Sequence, residues 1–167
     1  MSNGEAAGTV LQIVSGLLEQ LAAGDITLRS DRASTNLFNC NRETCSWQER
    51  SVLVYTDQIR ILIFGGRRAR LELFLRFEFN GCDVNDARIV LGSNSFVGFL
   101  SGAEFHVEAR AGASQVRGPS GCADCCPQSA CVNFDIVVSS DAALTFGTGS
   151  TPFSIRVCGD GNFILIP

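Results

Sequence analysis

The sequence predicts a mainly β protein: an antiparallel β-sandwich of the jelly-roll type, preceded by one N-terminal amphipathic helix. Three observations carry this. First, Ala69, Leu71, Leu73, Leu75, Phe77 and Phe79 alternate with Arg68, Arg70, Glu72, Arg76 and Glu78; only Phe74 breaks the pattern. A strand turns successive side chains to opposite faces, so this run has one apolar face to bury and one charged face to leave in water. Second, shorter alternating runs punctuated by Gly, Asn, Asp and Ser recur from Ile26 to the end, in numbers that suit two four-stranded sheets. Third, Val10, Ile13, Val14, Leu17, Leu18 and Leu21 recur at three- and four-residue spacing, the period of a helix with one apolar face.

That helix is expected over Ala6 to Ala23, ended by Gly24-Asp25. Gly8 and Gly16 weaken it by about 1 kcal/mol each relative to alanine, so it needs packing to persist. Val10, Ile13, Val14, Leu17 and Leu21 form its candidate docking face. It either lies on its own sandwich or serves as an arm on a neighbouring subunit. The chain thus divides into a helix or arm, residues 1–25, and a β-sandwich domain, residues 26–167.

Strands are expected at Ile26–Arg29, Asn36–Cys40, Ser51–Thr56, Gln58–Phe64, Arg68–Phe79, Asp86–Leu91, Phe96–Leu100, Glu104–Ala111, Cys131–Ser139, Ala143–Phe146, Phe153–Cys158 and Phe163–Ile166. Phe105, Val107, Ala109 and Ala111 alternate with Glu104, His106, Glu108 and Arg110, and Val132, Phe134, Ile136 and Val138 repeat the pattern. Gly65-Gly66 marks a hairpin. A three-residue loop, Gly65 to Arg67, pairs Ile63 with Ala69, Ile61 with Leu71 and Ile59 with Leu73, keeping apolar residues on one face. The longest irregular stretch is Gly112 to Ala130.

Composition narrows the function. The 167 residues suit one domain, and 46% hydrophobic with 18% charged residues indicates a folded chain. A net charge of −4 argues against a general binder of nucleic acid or anionic membrane. All 13 basic residues are arginine, so no lysine is present to form a Schiff base, a P-loop contact or an isopeptide bond. No membrane-spanning segment and no signal peptide is evident; the start has no basic region, and the apolar stretch after it carries Glu19.

The eight cysteines are Cys40, Cys45, Cys82, Cys122, Cys125, Cys126, Cys131 and Cys158. An even number at this density indicates disulfides and an oxidising surrounding. Cys122, Cys125, Cys126 and Cys131 form a disulfide knot or, alternatively, part of a zinc site. The adjacency of Cys125 and Cys126 makes a poor second zinc pair and directs the two sulfurs to different partners. Cys40 and Cys45 either close a local loop or bond another chain. Asp83, Asn85 and Asp86, and Asp160 with Asn162, are oxygen-rich turns that match no full calcium loop. His106, the only histidine, lies between Glu104 and Glu108 on a polar strand face and reads as a solvated residue. No catalytic or nucleotide-binding fingerprint is present, so no enzyme, cofactor or metal is expected.

In its Cys125-Cys126 pair and scattered Cys40, Cys45, Cys82 and Cys158, the chain resembles the cysteine-rich coat and appendage proteins of bacterial endospores. That resemblance implies small jelly-roll subunits, made without a signal peptide and joined by disulfides after assembly. Those appendage subunits carry cysteine in an N-terminal connector, whereas residues 1–39 here contain none and the Cys-Cys pair is internal. The expectation is a structural, self-assembling filament, coat or shell subunit, with itself as partner, outside the cell or on a cell or spore surface. The alternatives are a secreted lectin- or adhesin-like binding module with intrachain disulfides, its site in the Gly112–Ala130 loop, or a viral capsid component.

Overall fold

The computed structural model describes residues 10–21, 25–37, 46–61, 67–98, 103–112, 116–142 and 149–166. These are organised as eleven strands: β1 (Val10–Leu21), β2 (Ile26–Asn36), β3 (Gln48–Ile61), β4 (Arg67–Phe79), β5 (Val84–Leu91), β6 (Phe96–Val97), β7 (Ala103–Ala111), β8 (Val116–Pro119), β9 (Gln128–Ala142), β10 (Gly149–Cys158) and β11 (Phe163–Ile166). They form one sheet in the order β11-β10-β9-β7-β2-β5-β4-β3, with β1 beside β2, β6 beside β4 and β8 beside β9. The sheet curls until its two ends meet. Tyr55 of β3 stacks on Phe153 of β10 with ring centroids 5.3 Å apart, and Arg50 of β3 donates to the Gly161 carbonyl at 2.6 Å. The result is a nearly closed barrel, not a jelly-roll sandwich.

The N-terminal helix is also corrected. Val10–Leu21 is a strand, antiparallel to β2 from Val10↔Asn36 to Leu21↔Ile26, with a register shift between Val14 and Leu17. Among the described residues there is no helix, and so none long and apolar enough to cross a membrane. The physical reason is the irregularity at Ser15-Gly16. It splits the apolar residues into two short strand segments whose combined spacing imitates a helical period. Gly16 also disfavours a helix, and β2 offers backbone partners on both sides of the irregularity.

The core follows the alternation in the sequence. Ala69, Leu71, Leu73, Leu75 and Phe77 of β4, Phe105, Val107 and Ala109 of β7, and Val132, Phe134, Ile136 and Val138 of β9 are all buried in one cluster. The β3–β4 hairpin is antiparallel as expected, but its register differs: Ile59 faces Ala69 and Ile61 faces Arg67. Alternation fixes register only to within an even number of residues, and a slip of that kind leaves every side chain on its proper face. Glu72 departs from the expected wet face. It is buried and ion-paired to Arg70 at 2.6 Å, beneath a turn in which Gly92 N–H donates to the Glu72 carbonyl and Ser95 Oγ accepts from Glu72 N–H.

Strand β2 connects the two halves of the barrel. Residues Ile26 to Ser30 run parallel to β7, whereas the ladder to β5 holds only Ala33↔Ala87. The inward residues change parity between these halves: Ile26, Leu28 and Ser30, then Ala33 and Thr35. Where the β2–β5 ladder is thin, hydroxyl groups replace carbonyls. Ile89 N–H donates to Ser30 Oγ, Asp86 N–H to Ser34 Oγ and Val84 N–H to Thr35 Oγ1, each at 3.0 Å. Thr35 Oγ1 then donates to Asp83 Oδ1 at 3.0 Å. On β5, Asp86 adopts φ 53°, a left-handed conformation that aspartate tolerates. It coincides with the register shift opposite Arg76 and Glu78. Its carboxylate pairs with Arg32 and Arg88.

Removing one of these hydroxyls leaves a buried backbone N–H unmatched. Thr35→Val, nearly isosteric, and Ser30→Ala are each expected to destabilise the protein by about 1–3 kcal/mol, read as a lower denaturant midpoint with unchanged slope. A midpoint within error of wild type for both would remove the hydroxyls from the joint.

Candidate functional site

Two features stand out among the described residues: a pole of the barrel where the cysteines gather, and the side-chain seam between β3 and β10–β11.

At the pole, four segments of chain are laced by backbone hydrogen bonds. Gly81 N–H donates to the Gly159 carbonyl, Gly121 N–H to Gly81, Ala130 N–H to Cys82 and Gly159 N–H to Ala130, at 2.7–2.9 Å. Close approach depends on missing side chains. A Cβ on Gly81 would stand 2.6 Å from Cys122 Cβ, and one on Gly118 would stand 2.9 Å from Cys131 Sγ. Within this lacing Cys82 is bonded to Cys126, with Cα atoms 6.0 Å apart, and Cys131 to Cys158, at 4.1 Å. The second bond ties directly opposed residues of β9 and β10. Cys122 and Cys125 are disulfide-bonded as well, and no described cysteine is free. Cys125 and Cys126 therefore have different partners, Cys126 pairing with Cys82. Cys40 and Cys45 lie outside the described residues. Leu37, Cys82, Cys126 and Ala130 form a small second core against which Cys122 and Cys125 pack. A sulfur committed to a disulfide is no thiolate ligand, so Cys126 and Cys131 are not a zinc pair in this state.

Among the described residues, the seam holds the barrel together without a ladder. At one end the Arg50 guanidinium sits 5.2 Å from the centre of the Phe163 ring while donating to Gly161. At the other lies the Tyr55–Phe153 stack. Between them the end strands expose apolar side chains: Leu53 is 47% exposed, Ile164 59% and Leu165 49%. Burial pushes the Tyr55 phenol up, and the Asp57 charge pushes it further.

The remaining candidates fall elsewhere. His106 is exposed, 3.4 Å from Glu104, and Glu108 is engaged by Arg110. Asp83 is buried and accepts from Thr35 Oγ1 and Leu37 N–H; Asn85 donates to Glu78; Asp160 accepts from Asn162 within its own turn. These oxygens are engaged in turns, strand joints and ion pairs. Val10, Ile13, Val14, Leu17 and Leu21, the expected docking face, lie along β1, where Val14 is exposed. The seam and the hydroxyl joint escape sequence reasoning. Tyr55, Arg50 and Phe163 carry no local pattern, and Ser30 to Thr35 read as punctuation between two strands. Comparison with known proteins gives no match: no family model, no curated protein and no solved structure is similar to this chain.

Two outcomes follow from this geometry. In the chain-entropy picture, removing Cys82–Cys126, which spans 44 residues, or Cys131–Cys158, which spans 27, costs about 4 and about 3.5 kcal/mol respectively. Double Cys→Ser variants compared with wild type in denaturant check this, and a loss below about 1 kcal/mol would show that the backbone lacing alone holds the pole. For Tyr55 the folded pKa lies above the unfolded one. Stability is therefore full below the unfolded value and falls as pH rises through the folded value. Absorbance titration of this single tyrosine should give a higher midpoint in folded than in unfolded protein. Tyr55→Phe should lose the alkaline decline it causes; identical folded and unfolded midpoints contradict the buried setting.

Proposed function

We propose that this chain is a structural subunit that works outside the cytoplasm and assembles with copies of itself. Its disulfides harden the subunit, and the apolar side chains exposed along its seam form the contacts. The observation that carries the reading is the apolar surface exposed along the seam. β11 and β3 terminate the strand order, and both expose large apolar residues, Ile164 and Leu165 on one and Leu53 on the other, with Trp47 just before it. Exposed apolar side chains gathered on one side of a fold mark a contact surface for another chain. Set against a different surface of the next copy, this patch makes a head-to-tail contact, which grows into rings or filaments. β1, bonded to β2 along its length, offers a further edge in the role expected of an N-terminal arm. The disulfides support a non-cytoplasmic setting.

A second reading, a secreted binding module, rests on one observation. Cys82–Cys126 and Cys131–Cys158 are bonds within a single chain, the arrangement of a self-contained domain rather than of links between subunits.

Size measured by light scattering and electron microscopy separates the two. The first reading expects oligomers or filaments that persist at micromolar concentration. Ile164→Lys, placing a charge on the β11 edge, should return them to monomers with unchanged circular dichroism. Wild-type protein that is monomeric at every concentration, oxidised or reduced, overturns the assembly reading and favours the binding module.

A further inference from the structure

The turn joining β4 to β5 reads Asn80-Gly81-Cys82-Asp83, and it is built around one side chain. Asn80 is 4% exposed. Its Oδ1 accepts Cys82 N–H at 3.0 Å and Asp83 N–H at 2.7 Å. Gly81 has φ 91°. Its N–H donates to Gly159 and its carbonyl accepts from Gly121. The next residue, Cys82, is bonded to Cys126, whose sulfur lies 3.7 Å from the Gly81 carbonyl oxygen.

Asn-Gly is chemically the most labile asparagine context, because glycine has no Cβ to hinder ring closure. The glycine backbone nitrogen attacks the asparagine Cγ, the Cγ–Nδ2 bond breaks and ammonia leaves. Water then opens the five-membered succinimide at either carbonyl, giving aspartate or isoaspartate. No oxidant, metal or enzyme is required. The fold opposes each requirement here. The nucleophilic nitrogen is held by Gly159, two N–H groups on Oδ1 hold the target amide in one fixed orientation so that it cannot swing to that nitrogen, and burial keeps out the hydroxide that must remove the Gly81 proton.

We infer that Asn80-Gly81 is a latent modification site, kept unreactive by the closed cysteine pole and released when Cys82–Cys126 is reduced. Once released, the change is one-way. Isoaspartate routes the main chain through the former side chain and lengthens the turn by one methylene. The turn has no room for it, since even a Cβ on Gly81 would meet Cys122 Cβ at 2.6 Å. Cys82 is then displaced from Cys126 and the bond does not re-form. A reversible event, reduction, thereby becomes a permanent loss of the closed pole.

The test uses the full chain in mildly alkaline buffer, oxidised or reduced and alkylated, with digestion by trypsin. After ageing, both samples are reduced and alkylated before digestion, and cleavage after Arg76 and Arg88 then releases residues 77–88, which carry Asn80 and, as internal reference, Asn85 before Asp86. In oxidised protein, conversion of Asn80 to its acid forms should run at least about tenfold more slowly than in reduced protein, as expected for breaking several buried hydrogen bonds first. The double variant Cys82→Ser with Cys126→Ser should show the fast rate without reductant. Equal rates in oxidised and reduced wild type, or the slow rate in the double variant, overturn the proposal. Reoxidation reads the one-way step. Freshly reduced chain should recover Cys82–Cys126, chain aged in the reduced state should not, and aged Asn80→Ser chain, which keeps an oxygen acceptor but forms no succinimide, should. Equal recovery of fresh and aged wild type overturns it.

Discussion

Everything in this barrel depends on β2 serving both halves of the sheet at once. A strand has two edges, and β2 gives one of them to β1 and divides the other between β7 and β5. The twist and side-chain direction that suit β7 do not suit β5, so the inward parity changes in the middle of the strand. Near that change backbone pairing to β5 fails, and buried N–H groups would be left unmatched in a low-dielectric setting. Ser30, Ser34 and Thr35 supply oxygen acceptors in place of carbonyls. At the same joint the Asp31 carboxylate takes the Ala111 N–H at 2.9 Å, closing the end of β7. The polar composition of Ser30 to Thr35 is therefore a condition for curling one sheet into a barrel.

The two ends of the barrel answer a related problem by different chemistry. Where β3 approaches β10 and β11 there is no ladder among the described residues, and the contacts across the gap include a stacked ring pair and a guanidinium that serves a carbonyl and an aromatic face together. Such contacts are each worth about 0.5–2 kcal/mol, far less than a continuous row of strand pairs. At the cysteine pole, covalent bonds and glycine-permitted close approach do the equivalent work. The pole is the covalently cross-linked end of the molecule, and the seam is the side where apolar side chains are presented together.

Surface charge adds a third layer. Arg76 and Arg88 face each other directly across β4 and β5, a repulsive pairing on its own. Glu49 takes Arg76 and Asp86 takes Arg88 and Arg32, so the ion pairs run across four strands. The Arg76 hydrogen bond and charge hold the Glu49 carboxyl below its ordinary range, so this part of the chain's support persists at neutral pH and fades as pH falls through that lowered value. At this exposure the pairs do more for register than for stability.

By itself the sequence determined the β character, the inward residues of β4, β7 and β9, and the presence of disulfides. Strict two-residue alternation and cysteine density are local properties that survive any topology. It misread Val10–Leu21, because an irregularity at Ser15-Gly16 breaks the alternation and leaves a helical spacing behind. The hairpin register escaped it, because alternation is blind to an even slip. Only the tertiary structure decided that Cys82 meets Cys126 and Cys131 meets Cys158, that Glu72 is covered, and that Tyr55 and Phe153 close the barrel. Each of these joins residues distant in the chain, and which distant residues meet depends on how the whole sheet curls rather than on any pattern along one segment.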